Sequence, residues 1–310
     1  MNGVTPRPHT ERETPGDHPS TSHLPLRTTD SRSRCTKILF LLQAPGFSAS
    51  IFSLFLPTAF GETVDARSAV IREASTGRIL NARNPDLRLP PASTAKLMTA
   101  ILVIERANFN DVVTISKNAS RVRPLKAGFK KGDKVTVEEL LYAALIKSAT
   151  DAAVALAEAV AGSEENFVCL MNQKTAAIGA KDTQFINATG LPGPRQYTTA
   201  LDLSTIMVSA LSYPKLREII GTPVAEFSTR DGRHLSLKNT DKLLWSDECL
   251  IGGKTGYTFT AGHCFVCAAE REKATIIVAL LGSPSRNRLW KETEVLIDKG
   301  FQMIGNHNRP

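Results

Sequence analysis

The stretch "PPASTAKLMTAILVIERA", residues 90–107, decides how this chain is read. Pro90-Pro91 imposes an extended backbone, because the proline ring fixes φ and disfavours helix in the residue before it. From Ser93 onward the pattern is helical. Leu97, Ala100, Ile101 and Ile104 fall on one face, and Leu102 and Val103 widen it into a nearly all-apolar rod. Such a rod belongs in a core. Yet it opens with Ser93 and Lys96, two polar residues three apart and therefore neighbours on one helical face. Ser-x-x-Lys alone means little: Ser212-Tyr213-Pro214-Lys215 repeats the spacing with a proline inside the turn. The pattern at 93–96 gains chemical meaning only if other segments supply partners.

Two short clusters do so, in order along the chain: Ser148-Ala149-Thr150 and Lys254-Thr255-Gly256. Near a helix start, the free N–H groups and the helix dipole around Ser93 favour an oxyanion. A serine hydroxyl is a weak nucleophile and needs a base. Lys96 serves if its pKa falls, and burial beside a second cation, Lys254, would lower it. Ser148 lies at the junction of two helical patterns and is placed to relay a proton. "GGKTGYT" is not a phosphate loop. Glu248 stands where the first glycine is required, and strand-like rather than helical sequence follows. Lys-Thr-Gly on an edge strand instead suits a substrate carboxylate, with glycine letting the backbone approach.

The surrounding chain sets the frame. "SAVIREASTGRILNARN", 68–84, reads as a hairpin turning at Ser75-Thr76-Gly77. Helical patterns follow at 136–147, behind the capping box Thr136-Val137-Glu138-Glu139, then at 151–162, 163–179 and 199–211. The period then changes. "CFVCAAERE" and "ATIIVALLG" are strands joined by a charged turn, and a last helix runs over 286–299. Strands at both ends around a helical middle predict an α+β fold: one antiparallel sheet flanked by helices, with a mostly helical subdomain.

With 310 residues, 42% of them hydrophobic, the chain can build a sizeable core. Its net charge of +8 pulls only weakly toward anionic partners, and no zinc-finger or RNP-like pattern supports nucleic acid. The basic run 117–134 reads as a solvated loop, with an anionic polymer as the second option. Residues 1–37, rich in Pro, Ser, Thr and Arg, read as a disordered leader. "ILFLLQAPGFSASIFSLFLPTAFG", 38–61, behind Arg32, Arg34 and Lys37, reads as a secretory signal cleaved before Glu62. Contact with the membrane is expected only if this segment is retained as an anchor. Cys264 and Cys267 sit three apart on a strand and point to opposite faces, which suits burial as small apolar residues and not a metal pinch. A disulfide through Cys249 has no support in the sequence. His234 and His263 carry no motif that recruits a serine, and Trp245 and Trp290 read as packing residues.

Together these motifs resemble the D-alanyl-D-alanine carboxypeptidases among the low-molecular-mass penicillin-binding proteins, peptidase family S11. "DAAVALAEAVAGSEENFVCLMN", "FINATGLPG", "QYTTALDL" and "NTDKLLWSDECLIGGKTGYTFTAGHCF" carry the likeness, over about residues 65–303. The resemblance implies a β-lactamase/transpeptidase-like fold for a catalytic domain over 62–310; the C-terminal β domain that family members often add is not expected here. It implies Ser93 as nucleophile on a D-Ala-D-Ala bond and Lys96 as base. Ser148 would protonate the leaving D-alanine, and Lys254, Thr255 and Gly256 would bind its carboxylate. Tyr257 would lend its N–H to the oxyanion hole beside that of Ser93. Its substrates would be peptidoglycan stem peptides ending in D-Ala-D-Ala, with β-lactams as acylating inhibitors, no metal or other cofactor, and a place in the periplasm or cell-wall space. Thr150 departs from the family's asparagine; as a substrate-binding residue it offers one short hydroxyl in place of an amide. Two alternatives follow: a DD-endopeptidase, and a weakly active or non-catalytic wall binder. A class A β-lactamase would need a Glu-x-x-Leu-Asn loop, where this chain reads "DTQFINATG".

Overall fold

The computed structural model describes residues 64–123 and 125–307. The expected leader, 1–37, and hydrophobic run, 38–61, lie outside them. The described residues open with strands β1 (Ser68–Glu73) and β2 (Ile79–Arg83), then a 3-10 turn (Ala92–Ala95) runs straight into helix α1 (Lys96–Arg106). A short excursion follows: β3 (Val112–Thr114), α2 (Lys117–Arg121) and β4 (Lys134–Thr136). Helices α3 (Val137–Leu145), α4 (Thr150–Ala161), α5 (Glu164–Ala177), α6 (Ala200–Leu211) and α7 (Pro214–Ile220) make the helical middle. A hairpin, β5 (Val224–Ser228) and β6 (His234–Lys238), leads to β7 (Leu250–Thr258), β8 (Gly262–Arg271), β9 (Ala274–Ser283) and α8 (Arg286–His307).

The main sheet is antiparallel in the order β2-β1-β9-β8-β7, so the N-terminal hairpin and the last three strands share one sheet, as the sequence predicts. β7 lies at its edge. Both faces are covered, which is why β8 and β9 read as unbroken apolar runs. Phe265, Cys267, Ala269, Ile276, Val278 and Leu280 face α8. Their alternates, Cys264, Val266, Ala268, Ile277, Ala279 and Leu281, join the helical core. The two cysteines thus enter opposite cores, both fully buried, and burial pushes both thiols up. Among the described residues the cysteines, Cys249 included, are free thiols.

α1 is the rod that its sequence predicts. Leu97 through Val103 are buried, and the helix packs against α3, α4, α5 and α6. The Thr136–Glu139 capping box starts α3 with both reciprocal bonds made, at 3.2 and 2.7 Å. α8 continues to His307, eight residues beyond its predicted end at Lys299. Phe301 and Ile304 extend its apolar stripe onto the sheet, and Gly300 does not stop a helix so well supported. The basic run is not a plain loop. It contains α2 and is pinned by Asp151, whose carboxylate accepts from the backbone N–H groups of Ala127, Gly128 and Phe129 at 3.0, 2.9 and 3.1 Å. The sequence reading misses the β5–β6 hairpin, whose strands are short and half exposed.

Candidate active site

Ser93 lies in the 3-10 turn, one residue after Ala92, which takes φ 48°. That left-handed backbone is costly for a residue with a side chain, and a close fit on two sides holds it there. Gly190, at φ 78°, lies so near that a Cβ would fall 1.7 Å from the Ala92 carbonyl oxygen. On the other side, a Cβ on Gly256 of β7 would come within 2.9 Å of the Ser93 nitrogen. The glycine of Lys-Thr-Gly therefore seats the edge strand against the nucleophile turn.

Lys96 begins α1 and is wholly buried. Its Nζ lies 2.9 Å from Ser93 Oγ and donates to the Thr189 carbonyl, also at 2.9 Å. That carbonyl belongs to a loop organised by Asn187, whose Oδ1 accepts from the N–H groups of Thr189, Gly190 and Leu191 at 3.2, 2.7 and 3.1 Å. "FINATGLPG" thus builds the cradle of the amine. Burial pulls the Lys96 pKa well below its ordinary value, the Lys254 cation lowers it further, and Asp151 opposes them. The further the pKa falls, the larger the share of neutral amine, and only the neutral form at this distance can accept the serine proton.

The second amine is equally buried. Lys254 donates to Ser148 Oγ and to the Thr255 carbonyl, both at 2.9 Å. Burial brings its pKa down to about 7, against the upward pull of Asp241. Asp241 is itself buried, its pKa pushed up to about 7 by burial. One of its oxygens accepts from the Leu243 N–H at 3.0 Å, and the other has no hydrogen-bond partner among the described residues. Ser148 is held at φ 63°, a strained backbone that turns its hydroxyl toward Lys254. Thr255 shares a hydrogen bond of 2.7 Å with Thr240.

Ser93, Ser148, Thr255, Gly256 and Tyr257 are on the wall of a cleft of about 400 Å³, and the two buried amines reach it through the hydroxyls of Ser93 and Ser148. Thr150 does not reach it. Its side chain is buried, and its hydroxyl and backbone N–H both bond the Leu125 carbonyl. Thr150, expected to contact substrate, thus spends its hydroxyl on Leu125, a residue of the cleft wall. His263 and Trp290, read from sequence as structural, also line the cleft. His263 stacks on Tyr257 at 4.4 Å, and Trp290 packs edge-on against Phe265. Trp245 is half exposed beneath Lys238 and is not a core residue. Arg286 also lines the cleft, where burial and then the Arg286 charge lower the His263 pKa. Thr189 acts through its backbone, and nothing in a single sequence brings Asp241 near Lys254 or Arg286 near His263.

A serine–lysine pair with a buried amine, a second such pair and an edge strand meeting at one cleft are what acyl transfer by a serine with a lysine base requires. Comparison with known proteins agrees. The family model for D-alanyl-D-alanine carboxypeptidase matches residues 57–285, and the chain belongs to that family. It is 31% identical over 267 residues to the D-alanyl-D-alanine carboxypeptidase DacF of Bacillus subtilis, covering 82% of this chain and 69% of the relative. It is 31% identical over 242 residues to a D-alanyl-D-alanine endopeptidase of Pseudomonas aeruginosa, covering 73% and 77%. The crystal structure of an evolved putative penicillin-binding protein homologue from Mycobacterium tuberculosis superposes with a TM-score of 0.74 at 32% identity. It covers 77% of this chain and 92% of that one.

Proposed function

We propose that the protein is a serine D-Ala-D-Ala carboxypeptidase that trims peptidoglycan stem peptides. The observation that carries this reading is the fully buried Lys96 amine 2.9 Å from Ser93 Oγ, with a second buried amine at Lys254. Ser93 Oγ attacks the carbonyl of the penultimate D-alanine and gives its proton to neutral Lys96. The backbone N–H groups of Ser93 and Tyr257 receive the oxyanion. The C–N bond then breaks. Ser148, bonded to Lys254, passes a proton to the departing amine, while Lys254 and Thr255 hold the terminal carboxylate. Water attacks the resulting ester, frees the shortened peptide and restores Ser93. A β-lactam acylates the same hydroxyl.

Incubation with a pentapeptide and with a cross-linked dimer tests the reading: release of D-alanine supports it, whereas cleavage of the dimer alone supports an endopeptidase instead. Fluorescent penicillin labels the wild-type protein and not Ser93→Ala. A folded wild-type protein that takes no label returns the chain to the wall-binder alternative.

The substrate lies outside the cytoplasm, and the basic flank and apolar run at 38–61 supply an export signal. Among the described residues no helix is long and apolar enough to cross a membrane. N-terminal sequencing of the mature protein is expected to begin at Glu62; a product that keeps 38–61 is membrane-anchored.

A further inference from the structure

The catalytic cleft does not end at Tyr257. Tyr257 and His263 also form part of the wall of an adjoining chamber of about 490 Å³, set around the β7–β8 turn. Phe259 stands at this turn almost fully exposed, and Arg67 and Asp65 bring charge to the chamber. The Arg67 stem is seated across the end of β9 by Gly282. There the backbone takes φ 74°, and a Cβ would meet Arg67 Cδ at 2.9 Å. Asp65 does not neutralise this arginine, because its carboxylate is paired with Arg288 at 3.2 Å. Arg67 is exposed and has no ion-pair partner among the described residues. The chamber therefore presents an uncompensated guanidinium.

The direction of β7 says which part of a substrate would reach it. On the reading proposed above, Lys254 and Thr255 hold the leaving carboxylate and Gly256 lies against Ser93. A peptide laid along the edge strand advances about 3.3 Å per residue. Its acyl side then passes Tyr257 toward Phe259 and the turn within two or three residues. We infer that this chamber is a subsite for the peptide upstream of the scissile bond, and that Arg67 binds a carboxylate carried there. The favoured substrate is an acidic stem peptide. Guanidinium and carboxylate match in charge and in planar geometry.

The inference rests on the carboxypeptidase reading for its direction, and binding separates the two. Two peptides ending in D-Ala-D-Ala are used, L-Ala-γ-D-Glu-L-Lys-D-Ala-D-Ala and the same peptide with the glutamate α-carboxylate converted to a carboxamide. Calorimetry on Ser93→Ala protein is expected to show the carboxylate form bound about three- to tenfold tighter, the range of a partly exposed charged contact. Adding Arg67→Ala brings the ratio to about one, and Arg67→Lys keeps most of it. Raising the salt shrinks the preference in Ser93→Ala. Equal affinities in the Ser93→Ala protein, or a preference that survives Arg67→Ala, overturn the subsite. D-Alanine release by the wild-type enzyme is scored separately: its failure removes the peptidase reading, while the carboxylate preference stands or falls on its own ratio.

Discussion

The chain contains two Ser-x-x-Lys stretches, and the fold buries the amine of one beside its serine and turns the lysine of the other into a surface ion pair. At 93–96 a 3-10 turn passes directly into α1, so serine and lysine share one continuous helical segment, and the amine is sealed from water. At 212–215 the serine ends α6 and Pro214 begins α7, so a helix boundary divides the pair. Ser212 bonds the Ser209 carbonyl at 2.7 Å. Lys215 turns to Glu138 and Glu218 at 2.6 and 2.8 Å. Burial lowers the Lys215 pKa somewhat, but the two carboxylates outweigh it and raise the net value. Lys96 instead has burial and a second cation acting together against its charge. Spacing puts an amine near a hydroxyl; only desolvation and the sign of the neighbouring charges make that amine a base.

The sharpest way to break this contrast is Lys96→Met, which keeps the buried volume and removes the base. D-Alanine release and penicillin acylation are expected to fall about 10³-fold, within the range for a general base. A loss under tenfold would mean that another group takes the proton. Gly190→Ala is next. With φ 78° and a Cβ placed 1.7 Å from the Ala92 oxygen, the loop must move and take the Thr189 carbonyl with it. A shift of about 1 Å costs on the order of 10²-fold in kcat. Circular dichroism shows whether the protein remains folded; unaltered kcat would deny the loop its positioning role.

Asp241→Asn sharpens the electrostatic half of the comparison. Asp241 raises the Lys254 pKa, so its removal lets burial drive that pKa below about 7. On the proposed mechanism, Lys254 holds the substrate carboxylate only while protonated. Affinity for the substrate is present below the Lys254 pKa and lost as pH rises through it, so in Asp241→Asn the rise in KM begins at lower pH. A KM–pH profile that does not move, or moves to higher pH, contradicts the coupling. Thr150→Val is expected to cost about 1 kcal/mol in stability, the worth of one hydrogen bond to the Leu125 carbonyl, and to alter kcat less than threefold. A hundredfold loss would place the hydroxyl back in the substrate path. Smallest is Lys215→Met, with less than about 1 kcal/mol in thermal unfolding, as for other exposed pairs. Any pronounced loss of acylation there would erase the distinction between the two stretches.

The sheet and its helical cover were legible because their signals are local. The unbroken apolar runs of β8 and β9 report burial on both faces, and the capping box and α1 rod announce their helices. The β5–β6 hairpin also has a local signal, Asp231-Gly232 between alternating runs with Gly232 at φ 81°, but its short, half-exposed strands make that signal weaker than the buried ones. At the site, the motifs put Ser93, Lys96, Ser148 and Lys254 forward and the structure brings them together, whereas Thr150, expected at the substrate, bonds the Leu125 carbonyl. A sequence gives the side chain at that position but not its direction, and a carbonyl from Leu125 captures the hydroxyl.

Residue order alone determined that a hydroxyl and an amine stand one turn apart at 93–96, that a lysine precedes Gly256 on a strand, and that the strands at the two ends belong together. Tertiary structure decided the rest: that both amines are dry, that Asp241 and Asp151 temper them, and that His263 and Arg67 reach the cleft and its annex. The reason is physical. Spacing along a helix or strand is fixed by backbone geometry, while desolvation and charge coupling depend on groups brought together from distant parts of the chain.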